Sequence, residues 1–283
     1  SRDIPVLDRF DVLVAGAGPA GVCAAVTAAR LGARVALLER YGILGGNLTS
    51  GHVGPILGAV GPGTIREELM ERLGVPDNDM IGRTGLVHDF EEAKLALAEL
   101  VNHKNITVYL QAMVADAVME GNAIRGLVLS TKEGLFSLLG KVVIDATGDG
   151  DVASFAGAPI EKGRDDGLLQ PVTLEFTIDR VDENVAIACI GDVDEVQLNG
   201  ERFLDFCKRC GEEGLLPANL VAVRLHRTVR PGERQVNTTQ LNRVDSTQVT
   251  ALYPAELLLR RQVKLLLDFF RAHLPGYEHC RYR

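Results

Sequence analysis

The sequence predicts an α/β fold in which a parallel sheet flanked by helices carries an antiparallel β-meander and is followed by a second, mixed α+β domain. Three observations predict it. Phe10 to Glu39, FDVLVAGAGPAGVCAAVTAARLGARVALLE, runs as an apolar segment, a glycine turn, an alanine-rich segment and a second apolar segment, the order of a βαβ unit. Residues 141–146, KVVIDA, repeat the short apolar run of a strand covered on both faces. Between these lie alternating runs at 112–120, 123–132 and 135–139, the first two joined by Gly121-Asn122 as a turn. A chain of 283 residues, 46% hydrophobic and 24% charged, has room for one large or two medium domains, and the boundary is expected at Gly163, giving 1–163 and 164–283.

Taken in order, Asp11 to Ala15 is the first strand, and Gly16, Gly18 and Gly21 form G-x-G-x-x-G, with Ala17, Pro19 and Ala20 between them. The first glycine permits a tight turn, the second lets backbone approach a pyrophosphate, and the third lets the helix sit close on the sheet. The following helix, 22–31, would offer its unpaired N-terminal N–H groups to phosphate. Gly32 ends that helix, and Arg34 to Leu38 delivers Glu39 to a strand end, where a carboxylate can accept from a ribose 2′-hydroxyl and would repel a 2′-phosphate. This motif leaves nicotinamide and flavin dinucleotides both open. Residues 49–63 hold five glycines and two prolines, a loop composition. Helices are expected over 65–73 and 89–102, the second capped by Asp89, with a connector at 77–86 between them and a strand over 106–110 after them. The KVVIDA strand runs into Thr147-Gly148-Asp149-Gly150-Asp151, where Asp151 is expected to cap a helix beginning near Val152.

A net charge of -8 and a pI near 5.3 argue against nucleic acid or an anionic membrane surface as partner. Residues 1–9 lack the apolar core of a signal peptide, and the apolar run at 257–270 is broken by Arg260, Arg261, Lys264 and Asp268, so a cytoplasmic location is expected. Five cysteines without framework spacing fit free thiols. Cys207 and Cys210 make a C-x-x-C, but it lies on an amphipathic helix over 201–214 with no second pair, so packed thiols are expected and no metal site.

After Glu39, Arg40 and the glycine pair Gly45-Gly46 resemble the flavoprotein signature E-R-x-x-x-x-G-G. Together with GAGPAG, LGGN at 44–47, Val114 in the first meander strand and VIDATGDGDVASFAGAP at 143–159, the chain resembles FAD-dependent oxidoreductases with the glutathione-reductase-type, Rossmann-like FAD-binding fold. The likeness continues more loosely in QPVTLEFTI at 170–178, VNTTQLNRVDST at 236–247 and the last helix. The resemblance implies FAD as cofactor. It implies that Gly16 to Gly21 face the pyrophosphate, Glu39 and Arg40 the adenosine side, Val114 the adenine through its backbone, and the turn at Ala146, Thr147, Gly148 and Asp149 the pyrophosphate and ribityl region. Gly45, Gly46 and Asn47 would lie nearer the isoalloxazine. Phe90 departs from the proline common there in the family.

A flavin performs hydride chemistry itself, so the protein needs only to place a substrate, tune the ring and move a proton. Asn47, Thr49 and His52, in the loop after the glycine pair, are the catalytic candidates, His52 having the most suitable ordinary pKa. In residues 221–230, VAVRLHRTVR, strand alternation puts Arg224, His226 and Arg230 on one face that suits an anionic substrate; the alternative is that these cations pair with the surplus acids. Thr238, Gln240 and Asn242 form a second polar strand face. The expected function is hydride transfer between a small organic substrate and FAD. The alternatives are a flavin monooxygenase and a non-catalytic flavin-binding subunit that passes electrons to a protein partner; a homo-oligomer is equally open. No returning segment follows the last helix, so the chain is expected to be part of a longer enzyme and to hold flavin weakly.

Overall fold

A computed structural model describes residues 3–56, 61–74, 87–189, 195–217, 223–238 and 253–282, with backbone alone for 253–262. The chain divides into two compact units. The first, Ser1–Val53, Val60–Val75 and Phe90–Glu161, contains β1 (Val6–Ala15), α1 (Pro19–Arg30), β2 (Val35–Leu38), α2 (Ile65–Arg72), α3 (Phe90–Val101), β3 (Ile106–Tyr109), β4 (Met113–Glu120), β5 (Ala123–Thr131), β6 (Gly134–Asp145) and α4 (Asp151–Phe155). Its six-stranded sheet has the order β3-β2-β1-β6-β5-β4, parallel from β3 to β6 and antiparallel through the meander β6-β5-β4.

The elements form where their patterns require them. All four residues of β2 are buried, as expected of a strand covered on both faces. Helix α1 buries Gly21, Val22, Ala25, Val26 and Ala29, the stripe that its alanine-rich spacing predicts. It ends in a Schellman motif: Gly32, at φ +94°, donates to the Ala29 carbonyl at 3.0 Å, and Ala33 donates to Ala28 at 3.1 Å. Phe10, Leu13, Ala15, Ala36, Leu38, Leu127, Leu129, Leu138 and Val152 close one core cluster of this unit.

Two expectations about strands are corrected. The first strand begins at Val6 rather than Asp11, and the runs at 135–139 and 141–146 are one continuous strand, β6. This strand serves two neighbours. Its first half pairs antiparallel with β5, from Thr131 opposite Gly134 to Gly126 opposite Leu139, while β1 follows it in parallel from Ser137 to Asp145. Gly140 does not break it, because the missing side chain makes room: a Cβ there would lie 2.7 Å from Leu13 Cγ.

The second unit, Gly54–Ala59, Pro76–Asp89 and Lys162–Arg283, contains β7 (Glu175–Asp179), β8 (Gln197–Leu198), β9 (Glu201–Arg202), α5 (Phe203–Glu212), β10 (Leu225–Arg227), β11 (Arg234–Asn237), α6 (Tyr253–His273) and β12 (Arg281–Tyr282). Its antiparallel sheet has the order β10-β11-β7-β12, with β8 and β9 a separate hairpin. Two early segments belong to this unit, which a boundary at Gly163 does not anticipate. Val87 N donates to Arg227 O at 2.8 Å, His88 Nδ1 meets Gly54 O at 2.8 Å, and Asp89 pairs with Arg230 at 2.9 Å. The connector expected at 77–86, together with Gln240 and Asn242, lies outside the described residues.

Inside the second unit Phe176, Ile178, Leu225, Val236, Leu266 and Phe270 form the centre of an apolar core. Arg234 is wholly buried yet satisfied, its guanidinium donating to both Glu183 oxygens at 2.5 and 2.9 Å. Cys207 and Cys210 are buried on α5, and burial, with Cys189 and Cys210 nearby, pushes the Cys207 thiol up, which makes it a poor thiolate. Among the described residues no cluster of His, Cys, Asp or Glu is arranged to hold a metal, and no helix is long and apolar enough to cross a membrane.

Candidate functional site

The glycine turn joins three strand ends. Gly16, at φ +90°, donates to Leu38 O at 2.9 Å, and a Cβ on it would lie 2.5 Å from the Ala146 carbonyl oxygen. A Cβ on Gly21 would lie 1.8 Å from Gly16 O, so only glycine lets α1 descend this closely onto the turn. Gly18 is different: nothing lies within 4 Å of where its Cβ would be. It is the N-cap of α1 in an extended conformation, no side chain caps the helix there, Pro19 follows, Ala20 comes next, and the first turn carries no acid. Uncapped N–H groups at the positive end of a helix, with open space before them, are the features an anionic diphosphate requires.

Glu39 is 5% exposed at the end of β2, and its carboxylate is already at work inside the protein. Oε2 accepts from Ala17 N at 2.9 Å and Oε1 from Tyr41 N at 2.9 Å. The acid therefore fixes the glycine turn, and two acceptor positions remain on a carboxylate with two donors. Arg40 is exposed and lies over the Tyr41 ring at 4.8 Å.

The glycine pair packs directly on the turn. Gly45 N donates to Ala17 O at 2.8 Å, and a Cβ on Gly46, at φ +51°, would lie 3.1 Å from Gly18 Cα. Gly45, at φ +107°, starts a short 3-10 turn over Gly46–Leu48, so two motifs thirty residues apart in sequence form one surface. Asn47 is exposed on that turn. Thr49 is fully buried, and its hydroxyl donates to Leu44 O at 2.5 Å, which commits it to shaping the loop. His52 has left-handed backbone, φ +53°, and its ring lies 4.4 Å from that of Phe90 at 31°. The phenylalanine that departs from the family pattern is thus the partner of the histidine.

At the end of β6 the cap is made differently from expectation. Asp151 is the first residue of α4 and does not cap it; Asp145 does, Oδ2 accepting from Ala153 N at 3.0 Å while Oδ1 accepts from Thr147 N at 3.1 Å and Oγ1 at 2.6 Å. Thr147 Oγ1 in turn accepts from Asp151 N at 2.8 Å. Gly150, the residue before the helix, is left-handed, φ +69°. Nothing lies within 4 Å of a Cβ placed on Gly148, and Asp149 beside it is exposed. Burial, then Asp149 and Asp145, hold the Asp151 carboxyl above its ordinary range, with Arg40 opposing. Val114 sits in β4 opposite Leu129, next to a bulge before Asp116.

In the second unit, only 225–227 of the expected strand at 221–230 is extended, and 221–222 lie outside the described residues. Arg230 belongs to the turn that follows and is ion-paired with Asp89, which breaks the expected alternating face. Arg224 and His226 do share a face. His226 is buried, its Nδ1 2.5 Å from Gln235 Oε1, and Gln235 Nε2 donates to Glu175 Oε2. Thr238 is buried and its Oγ1 accepts from Arg224 N at 3.1 Å. Glu175 and Gln235 were not singled out from sequence, although the alternation Thr173, Glu175, Thr177 is its visible trace.

A parallel sheet with an uncapped, glycine-lined helix N-terminus, an acid at the end of β2 and an antiparallel meander defines a dinucleotide-binding protein, and the open backbone at Gly18 and Gly148 fits a diphosphate. Comparison with known proteins narrows this. Residues 11–283 match the FAD dependent oxidoreductase family, and the chain belongs to it, which makes FAD its cofactor. It is 29% identical over 163 residues to a thiamine thiazole synthase of Pyrococcus horikoshii, covering 54% of this chain and 64% of that protein. It is 28% identical over 165 residues to digeranylgeranylglycerophospholipid reductase 1 of Methanococcoides burtonii, covering 53% and 40%. The chain therefore spans less than two thirds of the length of these relatives. Among solved structures, a geranylgeranyl bacteriochlorophyll reductase-like protein from Thermoplasma acidophilum superposes with a TM-score of 0.55 at 13% identity, over 98% of this chain and 64% of that one. A p-nitrophenol 4-monooxygenase from Pseudomonas putida does so with a TM-score of 0.51 at 16% identity, over 98% and 67%. These likenesses show a shared fold.

Proposed function

We propose that this chain carries the flavin-binding and substrate-binding parts of an oxidoreductase that moves hydride between a small organic molecule and FAD. The observation that carries the reading is the uncapped N-terminus of α1 beside open backbone at Gly18, with Gly46 packed on it and Glu39 holding it in shape. Bound FAD supplies the hydride chemistry. The chain's residues bind and orient: Gly16, Ala17, Gly18, Pro19, Ala20 and Gly21 receive the pyrophosphate, Glu39 and Arg40 the adenosine ribose, Val114 the adenine through its main chain. Ala146, Thr147, Gly148 and Asp149 meet the ribityl side, and Gly45, Gly46, Asn47 and His52 the ring. Arg224 and His226 bind the substrate; Arg230, tied to Asp89, shapes the neighbouring turn.

The experiment is an absorbance spectrum of the purified protein, followed by anaerobic reduction and reoxidation with oxygen, quinones and ferricyanide. A flavin spectrum, and slow reoxidation by oxygen beside fast reoxidation by another acceptor, is the expected result. Fast reoxidation by oxygen would replace this reading with an oxidase or monooxygenase, and flavin that reacts only with an electron-carrier protein would replace it with an electron-transfer subunit. Failure of the protein to take up FAD at all would overturn it.

A further inference from the structure

Just beyond β2 the chain is tied to the turn that follows β3 by three main-chain hydrogen bonds. Glu39 N donates to Tyr109 O at 2.9 Å, Ala112 N to Glu39 O at 2.9 Å and Gln111 N to Tyr41 O at 3.0 Å. Residues 39–42 and 109–112 therefore form one piece, and all of it belongs to the first unit.

Gln111 is the unusual member. Its φ is +54°, in the left-handed region that glycine adopts freely and where Asn, Asp and His are the commoner exceptions. A glutamine there bears a backbone cost that a glycine would not, and strain of this kind is found where a side chain is held for a ligand. The side chain lies over Gly42, since a Cβ on that glycine would be 3.6 Å from Gln111 Nε2 and 4.0 Å from Cγ. Gln111 is exposed and its amide makes no hydrogen bond among the described residues, so no contact there offsets the strain. The surface beside it suits a flat heteroaromatic ring. Arg40, also exposed, lies over the Tyr41 ring at 4.8 Å and so holds a guanidinium plane, a stacking partner for a base, at the surface. Tyr41, Leu110 and Met113 add apolar surface, being 45%, 43% and 55% exposed.

We propose that Gln111 reads the adenine of FAD, its Oε1 accepting from the N6 amino group while its Nε2 donates to N7, with Arg40 stacked on the base. This rests on the proposed cofactor site, in which Glu39 takes the adenosine ribose and the main chain of Val114 the adenine. The main chain of one residue offers one donor and one acceptor, which suffice for N1 and one N6 hydrogen. The other N6 hydrogen and N7 remain, and a donor beside an acceptor is what an amide side chain matches. Selection against other purines follows. Guanine and hypoxanthine carry O6 in place of the amino group, so one acceptor would face another whichever way the amide turned.

Equilibrium dialysis of the FAD-free protein against ADP and 7-deaza-ADP tests the assignment, because the analogue has carbon in place of N7 and keeps the amino group, the ribose and the diphosphate. Wild type should bind the analogue about three- to tenfold more weakly than ADP, the effect of one hydrogen bond. Gln111→Gly removes the amide at a backbone angle that glycine adopts freely, and it should bind ADP more weakly than wild type and the two nucleotides equally. Gln111→Glu keeps the shape of the side chain without the donor and should likewise lose the preference. The ratio of the two nucleotides is read within each variant, so a change in stability does not enter it. Equal affinities in wild type, or a preference retained in either variant, would overturn the proposal. Wild type that takes up FAD without distinguishing ADP from 7-deaza-ADP would remove this assignment alone; wild type that takes up neither FAD nor ADP would remove the cofactor site and the assignment with it.

Discussion

On the proposed function Glu39 serves two purposes. A carboxylate at the end of β2 is what a ribose needs, but its two oxygens accept from the main chain at Ala17 and Tyr41, so the glycine turn depends on it before any ligand arrives. Replacing Glu39 by alanine leaves the buried Ala17 N–H without its acceptor, which costs about 1–3 kcal/mol. Glu39→Ala is therefore expected to lower the Tm of the FAD-free protein as well as to weaken FAD, which calorimetry with and without FAD will separate. A variant whose apoprotein melts as wild type does would show that the acid acts on the ligand alone. At Gly18 the opposite holds. Its Cβ would meet no protein atom, so Gly18→Val should leave the apoprotein Tm nearly unchanged and abolish FAD binding in equilibrium dialysis, because the branched side chain would occupy the diphosphate's path.

At the scale of elements, β6 is the strand on which the first unit turns, pairing with the meander on one side and with β1 on the other. Glycine inside a strand ordinarily weakens it by roughly 0.5–1 kcal/mol relative to alanine. At Gly140 the close approach of Leu13 reverses the expectation, since overpacking a buried contact costs about 1–3 kcal/mol. Gly140→Ala should accordingly lower the urea midpoint rather than raise it, with an unchanged m-value. A rise in the midpoint would mean that Leu13 gives way freely. The end of the same strand carries Asp145, which caps α4 and orders the turn at Thr147 to Gly150. Geometry of this kind makes the helix start a consequence of the strand end rather than of its own first residue.

For the whole molecule, ligand linkage gives a measure of the site that no single variant provides. FAD at a hundredfold excess over its Kd stabilises the folded state by about 2.7 kcal/mol if it binds only that state. Tm should therefore rise with FAD in wild type and stay fixed in Gly18→Val. The same titration with NAD should give no rise, since the family to which the chain belongs uses FAD. The two compact units make the chain's organisation less linear than its sequence, because Gly54–Ala59 and Pro76–Asp89 fall within the second unit.

Much of the first unit was legible in order along the chain. Local chemistry dictates it: glycines where backbone must turn or approach, an apolar run where a strand is covered on both faces, and a stripe of small residues where α1 meets the sheet. The cofactor class could be read for the same reason, since a diphosphate is met mostly by main chain whose path the glycines set. What only tertiary structure decided are the contacts between distant segments. The docking of Gly46 on Gly18, the commitment of Glu39 to Ala17, the ring of His52 against Phe90 and the capping of α4 by Asp145 all depend on which strand ends meet. The Glu175, Gln235 and His226 linkage was illegible for a further reason. Its members come from β7, β11 and β10; β10 and β11 are close in sequence, but β7 lies far before them, and neither strand length nor alternation reveals that it pairs with β11. Burial then changes the protonation of Glu175 and His226, and burial is a property of the folded chain alone.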